Sequence, residues 1–155
     1  MRSALIMLLF AIVACSSKEP IPLTEEQCQT TLCCTACKPV NVGKTIDGDT
    51  IDSSEGRIRL FGINAPEKGD RCYREATSEL RKLSGNRVRV ESGPRSKDNF
   101  QRSLYYAYTE SGDSIDELLI ERGFAEAWRR DGQHKQYLMQ VQKLSQQSGL
   151  GCLWK

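Results

Sequence analysis

Apolar and polar positions along this chain follow two periods, and the switches between them outline the elements. Val40 to Ile46 and Thr50 to Ser53 read as strands joined around Gly48, and Arg57 to Ile63 reads as a third beyond the turn signal Ser54-Glu55-Gly56. In that third run Ile58 and Leu60 share one face, which sets Arg59 on the other. Tyr73, Ala76, Leu80 and Leu83 recur at helical spacing, so residues 73–84 predict an amphipathic helix that stops near Gly85. Asn86 to Ser92, with Val88 and Val90 on one face, and the aromatic-rich Ser103 to Thr109 predict a fourth and a fifth strand. Ser114-Ile115-Asp116-Glu117 has the form of a capping box opening a short helix that ends at Gly123. A last helix, with Tyr137 or Leu138, Val141 and Leu144 on its apolar side, ends at Gly149. Three strands, a helix, two strands and then helices predict an α+β chain, mainly β: an OB-fold five-stranded barrel with about three packed helices.

The first residues follow a different logic. Arg2 followed by the apolar run Ala4 to Ala14 is too short for a transmembrane helix, which needs about 20 residues, but suits a signal-peptide core. Ile12-Val13-Ala14-Cys15 resembles the bacterial lipobox, which implies cleavage before Cys15 and lipidation of that residue. Ser16 to Glu26 has the composition of a tether. The expected organisation is therefore a signal peptide over residues 1–14, a lipidated, cysteine-rich tether over 15–38, and one folded domain over 39–155. A chain of 155 residues has room for one core. Location at the cell envelope, outside the cytoplasm and anchored to a membrane through Cys15, follows as an expectation.

Cysteine count agrees with that compartment. Seven cysteines less Cys15 leave an even set, expected to be oxidised outside the cytoplasm. Cys28, Cys33, Cys34 and Cys37 crowd together, which favours two bridges among themselves and one between Cys72 and Cys152. A bond between adjacent Cys33 and Cys34 is disfavoured by geometry. Zinc at this cluster is disfavoured too, because a structural zinc site has two well-separated ligand pairs.

A net charge of +2 is too mild to imply nucleic-acid binding by itself; the placement of particular charges says more. Asp47-Gly48-Asp49 puts two carboxylates on one turn, followed by Arg59, then Asn64-Ala65-Pro66-Glu67, then Arg102 after Lys97-Asp98-Asn99-Phe100-Gln101. Asp49 and Asn64 offer the hard oxygens that calcium prefers, Glu67 is a candidate base for water, and two arginines can present planar forks to phosphate oxygens. Hydrolysis of a phosphodiester calls for that set: neutralised phosphate charge, an activated water and stabilisation of the transition state. His134, the single histidine, is expected at the surface, and Trp128 and Trp154 in core or rim packing.

Ile46-Asp47-Gly48-Asp49-Thr50, the run Arg59 to Glu67, the Asp98-to-Arg102 turn, and Glu117 to Ile120 through Gly123 together resemble the staphylococcal-type thermonuclease family, from Ile46 to about Trp154. The resemblance implies an OB-fold and calcium-dependent cleavage of DNA and RNA to 3′-phosphate ends. It further implies Asp49 as a calcium ligand, Asp47 acting through water, Ala65 offering its backbone carbonyl, Glu67 as general base, and Arg59 and Arg102 as phosphate clamps. Three positions depart from the family pattern. Asn64 stands where a second ligand aspartate is usual, Gln101 where a glycine precedes the second arginine, and Phe100 where tyrosine is usual. The expected protein is a monomeric, lipid-anchored, divalent-dependent endonuclease acting on DNA or RNA. The alternatives are a catalytically weak or inactive OB module that binds nucleic acid or protein at the envelope, and a cysteine-based redox or metal-binding lipoprotein. Survival of Arg59, Glu67 and Arg102 favours the enzyme.

Overall fold

The computed structural model describes residues 28–155. Residues 1–14, Cys15 and the stretch Ser16 to Glu26, and with them the expected signal peptide, lipidation and tether, lie outside the described residues. No described helix is long and apolar enough to cross a membrane.

Strands β1 (Lys38–Thr45), β2 (Thr50–Ser53) and β3 (Gly56–Leu60) form a meander; a two-residue strand β4 (Ile63–Asn64) follows, then helix α1 (Tyr73–Ser84). Strands β5 (Arg87–Lys97) and β6 (Ser103–Tyr108), helix α2 (Ile115–Glu121), a short β7 (Glu126–Ala127) and helix α3 (Lys135–Gln147) complete the order. The sheet closes as β1-β2-β3-β6-β5. β3 and β6 run parallel, with Ile58 opposite Ser103 and Leu60 opposite Tyr105; β5 joins β1 antiparallel, Val88 opposite Val40. This is the five-stranded OB barrel with three helices that the sequence predicts.

The barrel closes around Val40, Ile51, Ile58, Leu60, Val88, Val90 and Leu104, all buried. Helix α1 adds Ala76 and Leu80, α2 adds Ile115, Leu119 and Ile120, and α3 adds Leu138. Burial of about 25 cal/mol per Å² of such apolar surface is what holds helices to barrel.

Four local expectations change. The run Arg57 to Ile63 is not one strand: it breaks at Phe61–Gly62 before β4. The cause is the fully buried carboxylate of Asp116, whose Oδ1 accepts from the Gly62 N–H at 2.8 Å. A Cβ at Gly62 would lie 2.6 Å from Leu138 Cδ1 and 2.8 Å from that carboxylate, so only glycine fits. Conversely, β5 runs on to Lys97, five residues past the predicted end at Ser92, because a register shift between Ser92 and Lys97 lets it follow β6. In α3 the buried face is Leu138, Gln142 and Ser145, while Leu144 is 64% exposed. Gln142 is buried because its Oε1 accepts from the Ala127 N–H at 2.7 Å, fixing β7. The capping box is half formed. The Ser114 hydroxyl accepts from the Glu117 N–H at 3.1 Å, but the Glu117 carboxylate turns away to accept from the N–H groups of Thr31 and Leu32 and from the Tyr137 hydroxyl.

That diversion reflects how the cysteine-rich stretch packs. Disulfides join Cys28 to Cys33 and Cys34 to Cys37, and the knot docks on the loop between β6 and α2. Cys34 N donates to Gly112 O at 2.9 Å, and the Asp113 carboxylate accepts from the N–H groups of Gln29 and Thr30. The third bridge, Cys72 to Cys152, ties the N-cap of α1 to the chain end across 80 residues.

Candidate active site

The predicted chemistry collects at the barrel end where β1 leaves, β2 begins and β6 begins. A turn from Thr45 to Thr50, closed by Ile46 N donating to Thr50 O at 2.9 Å, brings Asp47 and Asp49 into place. Asp47 Oδ1 accepts from the Asp49 N–H at 3.1 Å, bracing the turn. Gly48 is required by close approach: a Cβ there would sit 2.6 Å from the Ala65 Cβ and 2.9 Å from the Ala76 Cβ.

Asp49 is buried at the centre of the group. Its Oδ1 accepts from the Thr50 hydroxyl at 2.9 Å, and its Oδ2 accepts from the Ala65 N–H at 3.1 Å and pairs with the Arg59 guanidinium at 3.0 Å. Burial pushes the Asp49 carboxyl above its ordinary value, against the opposing pull of Arg59, the Ala65 N–H and the Thr50 hydroxyl, and with a further push from Asp47. Nearby positive charge beyond Arg59 therefore favours its ionised form.

Arg59 is also buried, which its outward position in an alternating strand did not imply. Ile63 and Asn64 of β4 and the Trp128 ring lie against it. Its guanidinium donates to Leu60 O, to Ile63 O at 2.8 Å and to Asn64 Oδ1 at 3.1 Å, and lies 5.6 Å from the Trp128 ring centroid. Held on so many sides, it is pre-oriented. Arg102 sits across the opening. Its Nε donates to Asp98 Oδ2 at 2.6 Å and its terminal nitrogen to the Thr50 hydroxyl at 3.4 Å. Burial works to raise the Asp98 carboxyl, but the Arg102 guanidinium and the N–H groups of Arg102 and Phe100 outweigh it and hold Asp98 below its ordinary value.

Asn64 and Ala65 stand side by side at the end of β4, and Glu67 follows on an exposed turn in which Asp70 N donates to Glu67 O at 2.9 Å. The Glu67 side chain borders two grooves. One also contains Asn64, Ala65 and Glu126; the other contains Arg57, Lys97 and Arg102. A cleft of about 510 Å³ opens on the other side of Arg102, lined by Arg59, Phe61, Arg95, Phe100, Trp128 and Arg130 among others.

The donor set of Asp49, Asp47, Asn64 and the Ala65 carbonyl is all oxygen, which suits a hard cation such as calcium. Among the described residues no three His, Cys, Asp or Glu side chains come together as a metal cage, so such an ion would depend on the amide, the carbonyl and water for its remaining ligands. The single oxygen of the Asn64 amide is engaged by Arg59.

Thr50, Asp98 and Trp128 join the site; sequence reasoning gave the first two no role and expected Trp128 in core or rim packing. Thr50 and Asp98 lay within the quoted motifs. Trp128 carried no local signal, because only the β4–β7 pairing and Trp128 N donating to Gly62 O at 2.8 Å bring it over Arg59. His134, expected at the surface, is only partly exposed, with Nε2 2.9 Å from Glu91 Oε2 and its ring edge-on to Tyr106 at 4.6 Å.

Residues 57–155 match the family described as "Staphylococcal nuclease homologue". The chain is 31% identical over 128 residues to a protein named Thermonuclease from Staphylococcus intermedius, covering 74% of each chain. It is 28% identical over 116 residues to one of the same name from Staphylococcus hyicus, covering 66% of this chain and 68% of the other. A protein named "Uncharacterized endonuclease" from Escherichia coli O157:H7 is 33% identical over 89 residues, 54% of this chain and 57% of its own. Barrel, site and similarity agree, and the chain belongs to the staphylococcal nuclease family.

Proposed function

We propose that this protein is an exported, lipid-anchored, divalent-metal-dependent endonuclease that hydrolyses phosphodiester bonds of DNA or RNA and leaves 3′-phosphate ends. The observation that carries this reading is one continuous chain of contacts, Arg102 to Thr50 to Asp49 to Arg59. It places two guanidiniums on either side of a buried carboxylate at the mouth of the barrel, with Glu67 beside them.

In this reading Arg59 and Arg102 hold the non-bridging oxygens of the scissile phosphate and offset the charge that grows there in the transition state. Glu67 takes a proton from a water molecule, whose oxygen forms a bond to phosphorus as the bond to the 5′ oxygen breaks; that oxygen leaves as a hydroxyl with a proton from solvent. Asp49, Asn64 and the Ala65 carbonyl would hold a calcium ion, with Asp47 acting through water. Bound there, the ion supplies positive charge to the phosphate and lowers the pKa of nearby water. Asp49, whose carboxyl is pushed up by burial, is the ligand that gains most from that charge.

Three disulfides support a compartment that is oxidising, and the lipobox-like Cys15 supports membrane attachment. The engaged Asn64 amide, and the lack of a third clustered carboxylate among the described residues, favour a second reading, in which metal affinity is weak and the domain acts mainly by binding.

Digestion of plasmid, single-stranded DNA and RNA by the chain from Ser16 onward, with calcium, magnesium or chelator, tests the proposal. Cleavage that needs a divalent ion is expected. Arg59→Ala and Arg102→Ala should each slow it at least 100-fold, on the order of 3 kcal/mol of transition-state stabilisation. Undiminished cleavage in excess chelator, or by the double variant, sinks it.

A further inference from the structure

Four arginines line the 510 Å³ cleft, and they are not equivalent. Arg59 is held by Asp49, and Arg102 by Asp98. Arg95 forms a two-pronged pair with Asp131 at 2.5 and 3.2 Å. Arg130 is exposed and has no hydrogen-bond or ion-pair partner among the described residues; its one recorded contact is with the Trp128 ring, 5.4 Å from the centroid. The charge of Arg130 is therefore the one in this cleft that no carboxylate neutralises.

The segment that carries Arg130 is tightly fixed. Trp128 Nε1 donates to Asp131 Oδ1 at 2.8 Å, and the same carboxylate receives Arg95. The Gln133 amide donates to Glu91 Oε1 and to Ser92 O, both at 3.0 Å, and His134 meets Glu91. The side-chain hydrogen bonds of Asp131, Gln133 and His134 to the barrel all go to β5, while the Trp128 N–H donates to Gly62 O and the His134 ring packs on Tyr106 of β6. The result is a cleft wall that holds the Trp128 indole against both Arg59 and Arg130. Both guanidinium carbons lie under 6 Å from one ring centroid, at 5.6 and 5.4 Å, so at most about 11 Å separates the two charges.

We infer that Arg130 and Trp128 form a second phosphate-binding position, which takes the phosphate next to the scissile one in a nucleic-acid strand. A strand with one phosphate at Arg59 and Arg102 and its neighbour at Arg130 would run along the cleft, past the exposed ring of Phe100, which is open to an intervening base. The inference rests on the reading of Arg59 and Arg102 as phosphate contacts. It adds that the preferred ligand is a polymer with a flanking phosphate, not a single nucleotide diester.

The test is binding, so that it stands apart from catalysis. Affinity of the full chain for a fluorescently labelled single-stranded ten-nucleotide DNA is measured by anisotropy over a range of salt, in chelator so that the strand stays intact. Arg130→Ala should weaken binding about 10-fold at low salt, as expected for one charge-assisted contact. It should also reduce the slope of log affinity against log salt by about 0.7, the value for one phosphate contact on a single strand. Arg130→Lys should keep most of the slope, and neither change should alter the melting temperature, since Arg130 anchors nothing. A nucleoside with a single phosphodiester should bind wild type and Arg130→Ala alike. The inference is overturned if Arg130→Ala leaves the salt slope unchanged, if both ligands lose affinity equally, or if wild type shows no salt-dependent binding. Failure of the proposed function shows instead as absent cleavage in the digestion assay.

Discussion

Gln101 occupies backbone space that most side chains avoid, with φ at +62°. It closes the turn in which Asp98 Oδ1 accepts from the N–H groups of Phe100 at 2.8 Å and Arg102 at 2.9 Å, so the turn that aims Arg102 is the one that carries strain. Glycine, the residue expected there from the family resemblance, adopts this conformation freely. Gln101→Gly should therefore raise stability by about 1 kcal/mol, the left-handed penalty less the extra freedom of glycine when unfolded. A urea midpoint unmoved or lowered counts against this. At Asn64 the effect concerns function. Asn64→Asp adds one negative charge beside Asp49, and calcium affinity follows ligand charge. The metal-activation curve should shift to lower calcium concentration with a smaller change in maximal rate. An unmoved curve removes residue 64 from the ligand set.

Among the elements, the short helix α2 does more than pack. From its first turn Asp116 reaches into the core and accepts from Gly62 N and from Ala107 N at 2.9 Å, tying the break in β3 to β6. Burial pushes its carboxyl up to about 6, with the two N–H groups opposing. The folded state thus holds a proton that the unfolded chain has already lost between about pH 4 and pH 6. Stability from this group is fully present below the ordinary value of 3.8 and is lost as pH rises through about 6. The loss is on the order of 3 kcal/mol, from about 1.4 kcal/mol per pH unit. Urea unfolding of wild type should show that decline, and Asp116→Asn should flatten it while lowering stability at pH 5, because an amide cannot accept from both N–H groups. An unchanged pH profile in the variant refutes the assignment. Asp49, raised in the same direction, contributes to the wild-type curve but not to the difference between the two proteins.

At the scale of the whole molecule, covalent ties brace the fold at two places, and Cys72–Cys152 adjoins the groove that Asn64, Ala65 and Glu67 share with Arg71 and Leu153. The Cys72–Cys152 bridge closes a loop of 80 residues, worth roughly 4–5 kcal/mol in the chain-entropy account. A non-reducing peptide map should recover the two cysteines in one fragment, and reduction should lower the melting temperature; alkylation of either thiol in the native protein contradicts the pairing. The N-terminal knot bears on a different place. β6 begins beside Arg102 and ends at the loop on which the knot docks, so the knot and the site occupy opposite ends of that strand. Opening Cys28–Cys33 or Cys34–Cys37 should cost stability through the lost contacts with Asp113 and Glu117 and leave the cleavage rate per folded molecule unchanged.

The sequence by itself determined the elements whose pattern is local. Helix α1 begins and ends at the predicted residues 73 and 84, and β2 at 50 and 53, because their side-chain periods and the glycines that stop or turn them lie within a few residues of one another. The site motifs were legible for the same reason: Asp47, Asp49, Arg59, Asn64, Glu67 and Arg102 lie in compact runs at strand ends, and the structure gathers Asp49, Asn64, Arg59 and Arg102 into a connected set, with Asp47 and Glu67 at its border. Tertiary structure alone decided what depended on partners distant in sequence. Arg59 became buried when β4 and Trp128 closed over it; β3 broke at Gly62 because of a carboxylate 54 residues away; and the exposed face of α3 was set by the hydrogen bond of Gln142 to β7, not by hydrophobic period. Periodicity reports which residues share a face. Which face meets another element, and which polar groups must be satisfied there, is settled only when the barrel closes.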